Sequence, residues 1–312
     1  MLACHDLRVE VGGRALLDSV ELEVEPRRVV AVVGENGAGK STLTHLLAGD
    51  PPGAGMRVSG EVTLNGQAIR AWSPLQRARQ RAVLPQHPEA AFAFTALELA
   101  ALGRFAHGGA ASERTAIARA ALDLADAAHL ESRDVTTLSG GERARVHMAA
   151  VFAQLWEPAS EQPRYLLLDE PTASLDLSHQ HAILAATRAF AQSRGIGVLM
   201  VVHDLNLAAQ YADRVTLLKR GRILAAGEPA AVLRPTTIEE GFAVAACVLS
   251  HPITRSSLVA TAARRVGHGT AVQPQAVGRV DEDDGIDTHP AFQSMGEPEV
   301  ALRLERDETS RR

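Results

Sequence analysis

Residues 34–42 read "GENGAGKST", and Gly34 to Ser41 fit G-x-x-x-x-G-K-[ST] without a mismatch. Each part of that pattern has its own physical reason. The glycines Gly34, Gly37 and Gly39 let backbone N–H groups approach phosphate oxygens, with Glu35, Asn36 and Ala38 completing the loop. Lys40 neutralises the β and γ oxygens, and Ser41, followed by Thr42, offers a hydroxyl to Mg²⁺. A glycine turn that only caps a helix would account for Gly39 but not for Lys40 and Ser41 together. Of the 32 basic residues all but Lys40 and Lys219 are arginine, so the lysine inside this loop marks a place where a compact ammonium is wanted.

Further along, "LLLDEP" sets Asp169 and Glu170 at the end of an apolar run. Carboxylates there are costly without a cation or polar partner. Asp169 suits the orientation of Mg²⁺, and Glu170 suits a general base or orienter for an attacking water. His203 ends the next apolar run, "GVLMVV", where it could reach the same phosphate from another side. Gln86, in the Pro-flanked "RAVLPQHP", says little alone. A second small-residue stretch, "LSGGE" at Leu138 to Glu142, raises the question of why a chain with one phosphate loop needs another.

The elements that must position these residues follow from periodicity. "LRVEV" and "VELEV" alternate as strands around a Gly12-Gly13 turn, and Asn65-Gly66 marks a second hairpin. "VVAVVG" (29–34) is continuously apolar, as in a strand buried on both faces, and runs into the Gly34 loop. Leu43, Leu46 and Leu47 then fall at helical spacing. From 90 to 159 the texture is helical and rich in Ala and Leu. "RYLLLDEP" and "GIGVLMVVHD" return as strands separated by a helix, which implies a parallel sheet. "RVTLLKRGRILAAG" closes with a hairpin at Arg220-Gly221.

The chain of 312 residues, 46% apolar, can bury one large core or two ordinary ones. Cys4 and Cys247 stand far apart and point to no disulfide framework. The N-terminus does not read as a secretory signal, and the apolar runs are far shorter than the roughly 20 residues of a membrane span. The net charge of −5 lies wholly in residues 276–312, which hold ten acidic and five basic side chains. A neutral body gives no case for a nucleic-acid partner. The expected organisation is a domain over 1–255, with a core of 1–89 and 160–235 and a helical subdomain over 90–159, then an acidic, disordered tail over 256–312.

Taken in order, "GENGAGKST", Gln86, "LSGGE", "LLLDEPTASLD" and His203 resemble the ATP-binding subunit of ABC transporters over residues 2–250. The resemblance implies an α/β P-loop NTPase fold, a RecA-like core with an antiparallel β subdomain and an inserted helical subdomain. It implies that ATP and Mg²⁺ are bound, with Ser41, Gln86 and Asp169 holding the metal directly or through water, and that Glu170, His203 and Gln86 serve catalysis. It makes Leu138 to Glu142 the signature loop and Ser174 to Asp176 the D-loop. In such proteins two copies pair head to tail, so Ser139, Gly140, Gly141, Glu142 and Asp176 would serve nucleotide held by the partner's phosphate loop.

Within the family, "AVLPQ", "FAFTALELAALGR" (92–104) and the small insert before "YLLLDEP" are most similar to the haem, siderophore and vitamin B12 importers, and among them to the haemin importers. This implies two transmembrane permease subunits, a periplasmic haem-binding protein acting through them, and a peripheral location on the cytoplasmic face of the inner membrane. "FAFTALELAALGR" would form the docking surface for the permease. Import of a ferric siderophore or vitamin B12 is the alternative ligand reading. A DNA-acting ABC ATPase is the alternative of another class, and the 98 positions between Lys40 and Ser139 hold none of its sustained heptads. The sequence departs from the family pattern at Val11, where an adenine-stacking aromatic is usual, at Glu142 for Gln, and at Ala150 for Arg.

Overall fold

Strands β1 (Leu2–Val11) and β2 (Arg14–Val24) pair antiparallel across the expected glycine turn, where Gly12 and Gly13 both have positive φ. The computed structural model describes residues 1–88, 92–157 and 162–264; the remainder of the expected acidic tail lies outside the described residues. Strand β3 (Val29–Val33) is buried at every position and runs into helix α1 (Lys40–Leu47). Strands β4 (Met56–Leu64) and β5 (Gln67–Ala68) flank Asn65 and Gly66, at φ 52° and 77°, the paired left-handed geometry that a two-residue hairpin turn demands. The four strands form one antiparallel sheet in the order β2-β1-β4-β5.

Helix α2 (Pro74–Gln80), closed at its start by a Ser73–Gln76 capping box, leads into β6 (Arg81–Leu84). The helical region holds α3 (Ala96–Leu102), α4 (Ala111–Leu124) and α5 (Gly140–Gln154), which pack on one another. Strand β7 (Arg164–Asp169), helix α6 (Leu177–Arg194) and strand β8 (Ile196–Val201) are the expected βαβ unit. After α7 (Leu205–Tyr211) come β9 (Arg214–Lys219) and β10 (Arg222–Gly227), joined at Arg220-Gly221. The short α8 (Pro229–Val232) and α9 (Pro235–Phe242) precede β11 (Ala245–Ser250) and β12 (Ser257–Ala262).

The central sheet runs β10-β9-β3-β8-β7-β6, parallel throughout except at β10. Alternate residues of its strands feed two cores. Val29, Ala31, Val33, Leu166 and Leu168 face the helices, including α3 to α5; Val30, Val32, Tyr165 and Leu167 face α1 and the antiparallel sheet. Each such aliphatic side chain contributes about 1.5–3 kcal/mol by burial, so a charge at Val32 would break the fold. The apolar cluster under the helices is continuous with the sheet's, so the helical region shares the core rather than folding around its own.

Two buried arginines brace that region, and the second ties it to the sheet. Arg104 donates to the Ala153 carbonyl at 2.9 Å and is paired with Glu157, while Arg164, at the start of β7, donates to the Leu155 carbonyl at 3.1 Å. Among the described residues no helix is long and apolar enough to cross a membrane. The boundary expected at 255 is corrected: it falls in the turn of the β11–β12 hairpin, and the chain returns as β12 before residue 265. Only Val259 of β12 is buried, so the segment carries too little apolar pattern to announce a strand.

Candidate functional site

Four adjacent parallel strands, β3, β8, β7 and β6, end on the same side of the sheet, and each is followed by a residue expected to act. The glycine loop follows β3, His203 follows β8, Glu170 follows β7 and Gln86 follows β6. Ligands bind at such carboxyl ends in open α/β sheets because loop N–H groups and side chains converge there over a rigid support. The structure makes this convergence a cleft of about 310 Å³, lined by Asn36, Gly37, Gly39, Lys40, Ser41 and Thr42 together with Gln86, Glu170 and Leu16.

Local chain geometry explains the loop's residues. Gly34 has φ 154°, and a Cβ there would lie 2.2 Å from the Leu218 carbonyl oxygen, so only glycine lets the loop leave β3 against β9. Lys40 is 6% exposed; its ammonium donates to the Gly34 carbonyl at 2.8 Å and the Glu35 carbonyl at 2.9 Å, curling the loop around its own cation. Burial lowers the Lys40 pKa, against the pull of Glu170 and Asp169. The same desolvation raises that of Asp169, opposed by the Ser41 hydroxyl beside it. A cation and an anion both destabilised by burial define a site that gains from a ligand carrying phosphate and a metal together.

Asp169 is 4% exposed and its Oδ1 is buried without a hydrogen bond. An orphaned carboxylate oxygen beside a serine hydroxyl is the donor set a small divalent cation takes, so these residues fit Mg²⁺. The next residue, Glu170, has φ 54°, a left-handed turn that swings its carboxylate toward β8. There Oε1 stands 2.6 Å from His203 Nε2. The imidazole is itself largely exposed, at 46%, so this contact and its backbone fix it.

A second cluster forms elsewhere. Ser139 is the N-cap of α5, in a capping box: Ser139 N–H donates to Glu142 Oε2 at 2.8 Å and Glu142 N–H donates to Ser139 Oγ at 3.3 Å. The Ser139 hydroxyl also turns its proton toward the Glu142 carboxylate. Arg133 donates to Glu142 Oε1 at 3.1 Å, so both oxygens of the carboxylate are engaged within the chain. Donation by the Ser139 N–H and hydroxyl to this carboxylate lowers the Glu142 pKa and keeps it anionic. A Cβ on Gly141 would meet the Ser174 carbonyl at 3.1 Å, so the signature loop rests on the loop before α6. Asp176 caps α6, accepting from His179 N–H at 3.0 Å.

The structure thus divides the expected site residues. The phosphate loop, Gln86, Glu170 and His203 come together, with Asp169 beneath them. Ser139, Gly140, Gly141, Glu142 and Asp176 line no part of that cleft and lie together beside α5 and α6. Leu16 is the lining residue that sequence reasoning missed; in a period-two strand nothing distinguishes an apolar side chain that walls a ligand cleft from one that fills a core.

Comparison with known proteins agrees with this geometry. The family model described as ABC transporter matches residues 17–173. A hemin import ATP-binding protein of Gloeobacter violaceus is 49% identical over 276 residues, covering 88% of this chain and 97% of its own. Its counterpart from Burkholderia pseudomallei is 51% identical, covering 76% and 91%. Among solved structures, a metal-chelate type ABC transporter in an inward-facing conformation superposes with a TM-score of 0.66 at 25% identity, covering 84% of this chain and 96% of that one. An ATP-binding subunit of an ABC transporter matches with a TM-score of 0.63 at 26% identity, covering 74% and 91%. With its phosphate loop, its paired carboxylates and its signature helix in the family's order, this chain belongs to the ABC transporter family as an ATP-binding, ATP-hydrolysing subunit.

Proposed function

We propose that the protein drives haemin import through a partner permease, hydrolysing ATP at a site completed by a second copy of itself. The observation that carries the hydrolytic reading is the 2.6 Å contact between Glu170 and His203 over the phosphate loop. Lys40 and the loop N–H groups hold the β and γ phosphates. Glu170 accepts the proton of the attacking water, His203 holds Glu170 and the γ-phosphate in line, and Gln86 faces the same cleft from β6. Ser41 and Asp169 hold Mg²⁺, with Gln86 near it, and the bound metal supplies positive charge to the phosphate oxygens.

The separate signature cluster supports action in trans. Ser139, at the start of the 15-residue α5, and the N–H groups of Gly140 and Gly141 suit a γ-phosphate brought by the partner. Docking to two permease subunits on the cytoplasmic face of the inner membrane is supported by Phe92, Leu102 and Phe105, which stand 70%, 47% and 86% exposed in and beside the segment after Gln86. A periplasmic haem-binding protein acts through that permease.

The cargo reading is supported by relatives near 50% identity that are hemin import ATP-binding proteins. Likeness to a metal-chelate type transporter favours a ferric chelate as the second reading. The test is ATPase activity of the protein reconstituted with its cognate permease: haem-loaded binding protein should stimulate it, and stimulation by a ferric siderophore instead would move the cargo assignment.

A further inference from the structure

His203 is 46% exposed, so packing of its own does not hold the imidazole. Its place is set by the backbone, which is held on the strand side by Val202 N–H donating to the Val32 carbonyl at 3.2 Å and on the other side through α7. Asp204 caps α7, accepting from Asn206 N–H at 2.7 Å and Leu207 N–H at 3.2 Å. The side chain of Asn206 then reaches 53 residues along the chain. Its Oδ1 accepts from Val259 N–H at 2.7 Å and its Nδ2 donates to the Val259 carbonyl at 3.3 Å.

Both backbone groups of Val259, opposite Val248 in the hairpin register, therefore point away from β11 and are satisfied by one amide. Asn206 acts as a one-residue strand on the free edge of β12. A lone two-stranded hairpin is marginal in water. This one is held by that clamp, by Ala246 N–H donating to Glu239 Oε1 of α9 at 3.3 Å, and by burial of Val259 at 8% exposure. Between the hairpin and the loop lies a cleft of about 270 Å³, lined in part by His203, Asp204, Asn206, Phe242 and Val259.

We propose that Asn206 is a positioning residue for hydrolysis: by clamping the hairpin's edge to the turn behind His203, it fixes where the imidazole meets Glu170. The proposal rests on His203 acting in hydrolysis. It extends the apparatus that aligns hydrolysis from His203 to the β11–β12 hairpin. It also gives the last described element before residue 265 a mechanical route to the site.

Steady-state ATPase kinetics of the full-length protein test it. Asn206→Ala should lower kcat about tenfold while KM for ATP stays within about twofold, since nucleotide contacts are untouched and only alignment is lost. Asn206→Asp, which still accepts from Val259 N–H, should fall between. Val259→Pro removes the N–H from the other side and should reproduce the kcat loss, and the double variant should be no worse than either alone. Wild-type kcat in Asn206→Ala would overturn the proposal. So would a normal Val259→Pro beside an impaired Asn206→Ala, which would confine the effect to α7, or a kcat loss matched by a rise in KM and a fall in Tm. His203→Ala is the control: if it turns over normally the reading of His203 has failed, whereas an inactive His203→Ala beside a normal Asn206→Ala sinks the clamp alone.

Discussion

The phosphate cleft and the signature cluster use the same local device, a helix N-terminus behind small residues, but finish it differently. At α1 the loop is closed on itself, with Lys40 6% exposed and bonded to two of the loop's own carbonyls, and four strand ends supply every other group. At α5 the Ser139–Glu142 box and Arg133 satisfy the cap, and none of these residues lines the phosphate cleft. One region is a half-site with internal charge tension between Lys40 and Asp169; the other is a helix cap closed within its own first turn by Ser139 and Glu142. On the proposed reading in trans, the chain carries two halves of a site that do not meet within it.

That comparison is most severely tested by Glu170→Gln. Removing the base should cost at least about 100-fold in turnover while ATP binding, read by nucleotide fluorescence titration, survives. Turnover like wild type would remove the phosphate half-site from the account. Ser139→Arg should cost a similar loss in hydrolysis although it touches nothing in the cleft; if it instead weakens ATP binding by the isolated subunit, the two regions are not separate. Arg133→Ala is a finer probe. It removes one of the two arginine charges that offset the anionic Glu142 where the proposal brings a partner's phosphate, and should lower turnover about threefold, the scale of an exposed ion pair. Glu142→Gln should restore it.

The smallest effect concerns Asp169 without ligand. Burial raises its pKa in the fold, so the folded state binds this proton more tightly than the unfolded chain does. Stability from this group is therefore present at low pH and is lost as pH rises through the unfolded carboxyl's range toward the raised folded value. Asp169→Asn should raise Tm of the nucleotide-free protein by a few degrees and abolish the Mg²⁺-dependent part of the further rise that ATP gives. An unchanged or lowered Tm would show that the buried carboxylate is compensated.

Much of the phosphate half-site was legible in the sequence, because its signals are local. Gly34 to Ser41, the apolar run before Asp169 and the run before His203 each pair a chemical residue with a strand end, and parallel strands place such ends side by side. The hairpins at Gly12-Gly13, Asn65-Gly66 and Arg220-Gly221 were legible for the same reason, since positive φ at adjacent residues restricts composition. What escaped depends on contacts distant in sequence. β12 pairs with β11 and is held at its edge by Asn206 across 53 positions, and its own pattern offers only Val259 to bury. Leu16 lines the cleft because β2 passes beside α1, which no periodicity in β2 encodes. Glu142 looked like a ligand-facing polar residue, yet as an acid at the third helical position it serves the cap and Arg133.

The central claim, that the signature loop completes a partner's nucleotide site, is tested most directly by the solution mass of the Glu170→Gln variant with Mg²⁺ and ATP, by light scattering, beside Glu170→Gln/Ser139→Arg. A nucleotide-bound dimer is expected for the first and a monomer that still binds ATP for the second. An equally stable ATP-dependent dimer from both variants would contradict it.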